Sequence, residues 1–419
     1  MDSEKKLLYI SSRVFWPPMG GHEVEIYHYC RGLYEKYGYT VDVYAFDSVD
    51  KLEGVKKPAF LNKVVLSKHI GSVEKVRNLI CKTLIKGWPI QNSLYYSKEN
   101  EEEIYSILKK EKYDVVIVDM IRLATYYDAI KNHTCKKILD IDDTLSKRYK
   151  RQLYAITEKT NIAGQYHDKL PGFLQKLLGS SMIKKFVLKF EIPRVEKAEK
   201  YYSNLYDRVI FVSPLETDEF NSRYHTDKAV TVSLGVDYPY FSERIDVKKC
   251  PGVATFVGNM ATPANADSVR YIVKQIIPKC SKLEKLICVG NCPEELRNEL
   301  KSNHKVVFTG KVDDLRPHVK KGIVFLAPIA YGTGIKTKIL EAMAMEMPVI
   351  TNSIGAEGIH AKNGEHWYVS DSSQEIADYV DKLMADSEAC VSMGKVSKTF
   401  VEEYFQWDII FEQFKKLGL

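Results

Sequence analysis

Short apolar runs alternate with longer mixed segments along the whole chain. The mixed segments repeat their apolar positions at helical spacing, and this alternation predicts parallel sheets whose strands are joined by crossover helices. The predicted strands of the first half are Leu7–Ser11, Val41–Phe46, Val64–Ser67, Val115–Asp119, Lys137–Ile141 and Val209–Ser213. Those of the second half are Ala254–Gly258, Leu286–Gly290, Val306–Gly310, Ile323–Ala327 and Val349–Asn352.

A chain of 419 residues is too long for one ordinary hydrophobic core. The two sets of strands therefore predict an α/β protein with two Rossmann-like domains. We expect the first domain to cover residues 1–235, with a basic helical insertion near residues 144–200, and the second to cover 236–400. Residues 401–419 close the chain, with a helix predicted over Tyr404–Leu417.

The segment Tyr331–Gly358 carries the most specific chemistry in the sequence. Gly332 and Gly334 follow a buried strand and allow the backbone to turn tightly beside a ligand. A helix is predicted directly after this turn, and Lys336 and Lys338 lie in its first turn, where the helix dipole disfavours cations. Two lysines beside free backbone N–H groups indicate a bound anion such as a diphosphate.

The predicted helix starts near Ile335 and also carries Glu341, on the side that faces the same site. A carboxylate there is suited to accept hydrogen bonds from two ribose hydroxyls. Each residue has a plainer reading when it is taken alone, because Gly-x-Gly is common in loops and helical lysines and glutamates usually lie in water. The order of strand, glycine turn, two lysines, Glu-Ala-Met-Ala and Pro-Val-Ile is much more specific.

This segment resembles the nucleotide-sugar half of the GT-B glycosyltransferases of family GT4, which carry Gly-x-Gly-x-[Lys/Arg]-x-Lys-[Ile/Val]-Leu-Glu-Ala-Met-Ala-x-Gly-x-Pro-Val. The resemblance implies two domains that face each other across a cleft, and retaining transfer of a sugar from a nucleotide diphosphate donor. The chain departs from the family at Thr333, where many relatives have a glutamate that contacts the sugar. It departs again at Glu346, where they have the glycine that ends the helix.

The resemblance extends to other loops. The segment Leu234–Asp237 is similar to the start of the second domain in this family, whose closing helix returns to the first domain. The family also has glycines that face the donor and a loop whose backbone contacts the nucleobase. The donor-binding residues implied in this way are Gly20, Gly21, Gly258, Val312, Gly332, Thr333, Gly334, Lys336, Lys338 and Glu341.

Asp119 ends the fourth predicted strand, about where many GT4 members have a histidine beside the transferred sugar. A carboxylate at the carboxyl end of a parallel strand points at the ligand-binding cleft. Asp119 is therefore a catalytic candidate, which would orient the sugar or take the acceptor proton. Lys336 and Lys338 are the other two catalytic candidates. The alternative is a helix cap. His22 adjoins the Gly-Gly loop, and a surface position is expected for it.

The next strand ends in Asp140, Asp142 and Asp143, and carboxylates so close together repel one another. The candidate cations nearby are Arg122, Lys147 and Arg148. A bound metal ion is the sharper alternative. GT-B enzymes generally need no divalent ion for transfer, so neither a metal nor another cofactor is expected.

The sequence also indicates a compartment and partners. No apolar stretch reaches the length of a membrane span, and the first residues lack the apolar core of a signal peptide. The eight cysteines form no Cys-x-x-Cys pair and are typical of reduced thiols. We therefore expect a cytoplasmic protein whose partners are a nucleotide-sugar donor and a lipid-linked or glycan acceptor, and not a nucleic acid.

Positive charge is concentrated in residues 144–200, with thirteen Lys or Arg against five Asp or Glu, whereas the whole chain carries +6. The segments Val73–Trp88 and Phe173–Phe190 combine such charge with apolar residues at helical spacing. This pattern predicts peripheral attachment to an anionic membrane surface. For the first segment, packing of the apolar face on its own domain is an equal alternative.

The leading hypothesis is a retaining glycosyltransferase in polysaccharide or glycoconjugate biosynthesis. The alternative is a catalytically inert GT-B module that binds and stabilises a partner transferase. Thr333 and the missing histidine favour this alternative, whereas the two lysines and Glu341 oppose it. A nucleotide-sugar epimerase on the same fold would need acid–base carboxylates that the sequence does not place.

Overall fold

The structure of the chain, a computed structural model, describes residues 5–18, 20–154 and 181–419. These residues form two compact units. The first contains residues 5–153, 181–233 and 411–419, and the second contains Leu234–Ile410. Each unit has one parallel sheet accompanied by helices. The predicted α/β class with two Rossmann-like domains is therefore confirmed.

The first unit is built on a parallel sheet of seven strands. Its strands are β1 (Lys6–Ser11), β2 (Thr40–Ala45), β3 (Leu61–Leu66), β4 (Val115–Asp119), β5 (Lys136–Asp142), β6 (Arg208–Phe211) and β7 (Ala229–Thr231). Their order is β3-β2-β1-β4-β5-β6-β7. The order reverses between β1 and β4, the point at which open α/β sheets bind ligands outside the carboxyl ends of their strands.

Helices connect these strands. In the first half of the chain they are α1 (Gly21–Glu35), α2 (Ser72–Asn78), α3 (Ile90–Tyr95), α4 (Lys98–Lys110), α5 (Met120–Leu123), α6 (Tyr127–Ile130), α7 (Leu145–Tyr154), α8 (Ser181–Leu205) and α9 (Pro214–Tyr224). A π-helical stretch, Leu79–Ile85, continues α2. The predicted insertion near residues 144–200 includes α7 and much of α8, and its residues 155–180 lie outside the described residues.

The second unit repeats this arrangement with six strands. They are β8 (Val253–Val257), β9 (Lys285–Val289), β10 (Val306–Gly310), β11 (Val324–Ala327), β12 (Val349–Thr351) and β13 (Trp367–Val369). Their order is β10-β9-β8-β11-β12-β13, so the reversal falls between β8 and β11. The helices of this half are α10 (Tyr238–Ser242), α11 (Pro263–Tyr271), α12 (Glu294–Leu300), α13 (Arg316–Lys320), α14 (Thr337–Ala344), α15 (Ser353–Ala356), α16 (Ser373–Ala385), α17 (Ser387–Tyr404) and α18 (Trp407–Phe411).

The predicted strands are present, with ends shifted by a few residues. The central strand β4 reads Val-Val-Ile-Val-Asp and is buried along its whole length, as expected for a strand covered on both faces. β7 and β13 were not predicted. Each has three residues and lies at an edge of its sheet, so its apolar pattern is too short to be recognised.

The closing helix predicted over Tyr404–Leu417 is interrupted. α17 ends at the first of these residues, and α18 and a 3₁₀ turn over Glu412–Leu417 follow. The break has a tertiary cause, because the carbonyl of Phe405 accepts a hydrogen bond of 2.7 Å from the N–H of Val236, a residue far away in the sequence. This bond aligns the chain beside the start of the second unit instead of continuing the helix.

α14 also differs from the prediction at both ends. It begins at Thr337 rather than near Ile335, because Lys336 has a ψ of 91° and precedes the helix. Lys338 is therefore the lysine of the first turn. Beyond the other end, Glu346 has a φ of 61°, the left-handed conformation that glycine adopts without strain.

Replacement of Glu346 by glycine should relieve this strain. A side chain in the left-handed region costs about 1–2 kcal/mol, and the greater freedom of glycine in the unfolded chain offsets part of the gain. We expect the free energy of unfolding of Glu346→Gly to exceed that of Glu346→Ala by about 0.5–1 kcal/mol in denaturant titrations. Both variants lose the 3.0 Å ion pair with Lys398, so its contribution cancels. Equal midpoints would contradict this expectation.

Candidate functional site

The reversal point of the second sheet brings together the end of β8 and the loop that follows β11. Gly332 and Gly334 in this loop have φ values of 147° and 68°, so both positions need glycine. Gly258 follows β8, and a Cβ atom there would lie 3.0 Å from Nζ of Lys338. Glycine at this position therefore leaves room for the lysine side chain beside the end of β8.

Lys338 is the central cation of this site. Its Nζ atom donates a 2.5 Å hydrogen bond to Oδ1 of Asn265 and lies 4.8 Å from the ring centroid of Phe256. Burial lowers the pKa of Lys338 to about 8, with Glu341 opposing this change and Lys336 adding to it. A bound anion would stabilise the charged form of Lys338 and raise its pKa again, so the geometry favours a negatively charged ligand.

Lys336 precedes α14 and folds back on the glycine turn. Its Nζ atom donates hydrogen bonds to the carbonyl oxygens of Thr333 (2.8 Å) and Gly334 (2.5 Å). Thr333 is itself buried. The lysine thus fixes the shape of the turn and places a second positive charge near the first.

Glu341 lies three residues beyond Lys338 on α14 and is half-buried. Burial raises the pKa of Glu341 to about 7, and Lys338 opposes this change. Within the described part of the chain, no donor is hydrogen-bonded to its carboxyl group. The carboxylate is therefore available to accept hydrogen bonds from the hydroxyls of a ligand.

The remaining predicted donor residues occupy loops of the two units. Val312 is half-buried and follows β10. Gly20 precedes α1 in the first unit, and Gly21 begins this helix. The backbone of Gly20 is extended, with φ of −132°, and an added Cβ would meet only Oε2 of Glu23, at 4.0 Å. Glycine is thus not required here by backbone conformation, and the space above it is open.

The reversal point of the first sheet places Asp119 against the start of α1. The Asp119 side chain is fully buried, and its Oδ2 accepts a 2.7 Å hydrogen bond from the N–H of Ser12. Its Oδ1 lies 2.9 Å from Nε2 of His22. Although Asp119 precedes α5, it makes no capping hydrogen bond to that helix. The observed partners therefore support an active role in the site over the capping alternative.

His22 is not the surface residue that the sequence suggested. Its side chain is 13% exposed, and its Nδ1 lies 3.1 Å from Oε2 of Glu25 and 3.5 Å from Oδ2 of Asp142. Burial alone would lower the pKa of His22, but Asp119 and Glu25 outweigh burial and raise it well above the usual value. Burial likewise opposes ionisation of Asp119, but His22 holds the pKa of that carboxyl at about 2.

Further carboxylates surround this histidine. Burial and the charge of Asp119 raise the pKa of Asp140 to about 7, and its Oδ2 accepts a 2.8 Å hydrogen bond from the hydroxyl of Tyr9. Asp143 pairs with Arg148, with 2.9 Å between its Oδ2 and the arginine Nε. Of the cations predicted to lie near the aspartates, Arg148 therefore pairs with Asp143, whereas Lys147 pairs with Glu219 instead.

Two residues of this edge have unusual backbone conformations. Met120 and Asp142 have φ values of 61° and 66°, although neither is glycine. Such conformations persist only where the surrounding structure enforces them, and they cluster at functional sites. They support a functional reading of the His22 cluster, defined here as His22, Glu25, Asp119, Asp140 and Asp142. The sequence signal that could have indicated this cluster was the spacing of His22 and Glu25, which lie three residues apart on α1.

These features define the class of the protein. Two Rossmann-like sheets, with a lysine-containing glycine turn at the reversal point of the second, are the arrangement of the GT-B fold. A sucrose-phosphate synthase of Thermosynechococcus elongatus has the same fold, with a TM-score of 0.68, 15% identity and coverage of 99% of this chain and 98% of that one. Anabaena HepE in complex with UDP-glucose has a TM-score of 0.63 and 12% identity, with 98% of each chain covered.

Sequence comparison agrees with this fold. Residues 251–386 match the family model described as glycosyl transferases group 1. A Klebsiella pneumoniae protein, described as an uncharacterized 44.6 kDa protein in the cps region, is 22% identical over 248 residues. That match spans 57% of this chain and 62% of the relative, less than two thirds of its length. The predicted resemblance to the GT-B glycosyltransferases is therefore confirmed.

The raised pKa of His22 should depend on Asp119. Because the aspartate is a close opposite charge, Asp119→Asn should lower the pKa of His22. The measurement is an NMR titration of the histidine ring signals in metal-free buffer. Asp143→Asn is the matched control, since Asp143 pairs with Arg148 and should leave the His22 titration unchanged. An identical His22 titration in Asp119→Asn would show that the aspartate does not hold the proton.

Proposed function

We propose that the protein is a retaining glycosyltransferase of family GT4 that moves a sugar from a nucleotide diphosphate sugar to an acceptor, in glycan or polysaccharide biosynthesis. The observation that carries this proposal is the site formed by the glycine turn, Lys336, Lys338 and Glu341. These residues lie within the segment that matches the family model, residues 251–386. The Anabaena neighbour was solved with UDP-glucose, which makes UDP-glucose the first donor to test.

The chemistry follows from the charges in the second unit. Cleavage of the bond between sugar and diphosphate leaves negative charge on the diphosphate oxygens. Lys336 and Lys338 are already in place to stabilise that charge. Glu341 is suited to hold the ribose hydroxyls, while the absence of a side chain at Gly258 leaves room for Lys338 and Asn265 beside the end of β8.

The other predicted residues take supporting roles. Val312, which follows β10, is suited to offer its backbone to the nucleobase. We assign acceptor binding to the first unit. Asp119 has both oxygens engaged and the pKa of its carboxyl is about 2, so it is suited to orient His22 rather than to take a proton itself.

A catalytically inert module that stabilises a partner transferase is the second candidate function. It is favoured by Thr333, which stands where many relatives have a glutamate, and by the aspartate at the end of β4. An inert module would bind the nucleotide sugar without cleaving it. Hydrolysis of the donor in the absence of acceptor therefore separates the two functions.

The donor site predicts the effect of two substitutions. Lys338→Ala and Glu341→Ala each remove a charge-assisted contact, worth about 2–3 kcal/mol, or roughly 30- to 150-fold in kcat/KM for the donor. A thermal-shift screen of nucleotide diphosphates and their sugars, UDP-glucose first, identifies the donor because a ligand that binds only the folded state raises Tm. Donor kinetics with the parent and the two variants then measure the effect.

Lys282→Ala is the control for these variants, because Lys282 is an exposed lysine of the same unit that precedes β9, at the edge of the sheet opposite the site. It should leave the donor kinetics unchanged. Parent-like kinetics in both Lys338→Ala and Glu341→Ala would remove the assignment of the donor site. NMR of the product tests the retaining mechanism, since retention requires the same anomeric configuration in donor and product.

We further propose a cytoplasmic location with peripheral attachment to the inner face of the membrane, where a lipid-linked acceptor would be reached. Among the described residues, no helix combines the length and the apolar character needed to cross a bilayer. The support comes from α2 and its π-helical continuation, where Val73, Leu84 and Ile85 are 85%, 64% and 74% exposed. Lys75, Lys82 and Lys86 lie on the same segment.

The second basic segment supports attachment only in part. In α8, Phe186 is 70% exposed and lies beside Lys185 and Lys189, which are also exposed. Lys184 is buried and contributes no charge to the surface. The earlier part of the predicted stripe over Phe173–Phe190 lies outside the described residues.

Membrane attachment should require both the exposed apolar residues and the exposed lysines. Each basic residue near an anionic surface contributes about 1 kcal/mol, and this attraction weakens with salt. In sedimentation with anionic liposomes at low salt, Leu84→Ser/Ile85→Ser and Lys185→Glu/Lys189→Glu should both stay in the supernatant while the parent sediments. Tyr105→Ser, which removes an apolar side chain exposed elsewhere in the first unit, is the control. Equal recovery of parent and variants in the supernatant would favour a soluble acceptor.

A further inference from the structure

The His22 cluster contains more carboxyl groups than cationic groups. Its four carboxyl groups belong to Glu25, Asp119, Asp140 and Asp142, and its cationic group is the imidazole of His22. Three of the carboxyl side chains are fully buried, those of Glu25, Asp119 and Asp140. Carboxylates withdrawn from water in this way need protons or a bound cation.

The geometry around Nδ1 of His22 matches a metal centre. The Nδ1 atom lies 3.1 Å from Oε2 of Glu25 and 3.5 Å from Oδ2 of Asp142. Ligand atoms at the usual Zn²⁺ distances in a tetrahedral site are about 3.4 Å apart. The three ligand atoms all lie within 4.8 Å of one another, so small side-chain rotations bring them around one ion.

A separate observation points to a missing ligand. Oε1 of Glu25 is buried, and no described residue donates a hydrogen bond to it. A buried carboxylate oxygen without a donor is costly, because it loses its water without a replacement. A cation bound to this carboxylate would satisfy that oxygen.

Asp119 completes the arrangement from the other side of the ring. Its Oδ1 lies 2.9 Å from Nε2 of His22, so in the neutral ring this nitrogen donates its N–H to Asp119, and Nδ1, 3.1 Å from Oε2 of Glu25, offers its lone pair to a metal. Histidines that bind metals commonly donate their second N–H to a carboxylate in this way. The N–H of Ser12 in turn holds the other oxygen of Asp119.

We propose that His22, Glu25 and Asp142 bind one divalent cation of the zinc type, with Asp119 as the residue that orients His22. Imidazole favours Zn²⁺ over Mg²⁺ or Ca²⁺, which prefer oxygen ligands. Three protein ligands leave a fourth position for water or a substrate hydroxyl, as in other zinc sites with an open position. The site lies in the first unit and is independent of the lysines proposed to hold the diphosphate.

The test uses the full chain without an affinity tag, freed of metal by a chelator. Titration calorimetry with Zn²⁺ and with Mn²⁺, and metal analysis after dialysis, should give one bound Zn²⁺ per chain and weaker Mn²⁺ binding. Asp119→Asn should weaken Zn²⁺ binding by about 10- to 100-fold, and His22→Ala and Asp142→Asn by more than that. Glu23→Gln, a change two residues from Glu25 on α1, should keep the parent affinity.

Folding of each variant is checked by circular dichroism without metal. Of these variants, Asp142→Asn should disturb folding least, because the Asp142 side chain is 18% exposed to solvent and the other carboxylates are buried. The proposal is overturned if the folded parent binds no Zn²⁺, or if His22→Ala and Asp142→Asn bind it as the parent does. The shift of Tm by UDP-glucose in chelator-containing buffer reports on the donor site separately. Loss of that shift would count against the proposed function and not against the metal site.

Discussion

At the carboxyl ends of both parallel sheets, ionisable side chains from strand ends and from the adjoining helices are withdrawn from water, and the ladder hydrogen bonds of the strands fix the frame around them. The charges at these positions can be stabilised only by partners that the fold places beside them or by a ligand. In the second unit the half-buried Lys338 has one hydrogen bond, to Asn265, and a glutamate three residues further along α14. In the first unit His22 lies among several carboxylates.

The two ends therefore differ in the sign of the charge they have in excess. The second unit presents lysines beside a glycine turn, which suits an anion such as a diphosphate. The first unit presents carboxylates around a histidine, which suits a cation or bound protons. This difference agrees with a division of labour in which one unit holds the donor and the other handles the acceptor.

Departures from the family pattern acquire a physical meaning in the structure. Glu346 stands where relatives have glycine and is held in a left-handed conformation, so the departure costs stability and leaves the site unchanged. Asp119 ends β4 and contacts a histidine that comes from α1. Both side chains lie at the same edge of the sheet.

The sequence by itself determined the α/β class and the main strands, and it located the glycine turn with its two lysines, because these depend on local periodicity and on one continuous segment. The edge strands β7 and β13 were too short to show a pattern. Only the tertiary structure decided the His22 cluster. Glu25 and His22 come from one helix, but Asp119 and Asp142 arrive from two other strands about a hundred residues away, and only strand pairing brings them together. The break at Phe405 likewise depends on a hydrogen bond to a distant residue, which no local pattern reveals.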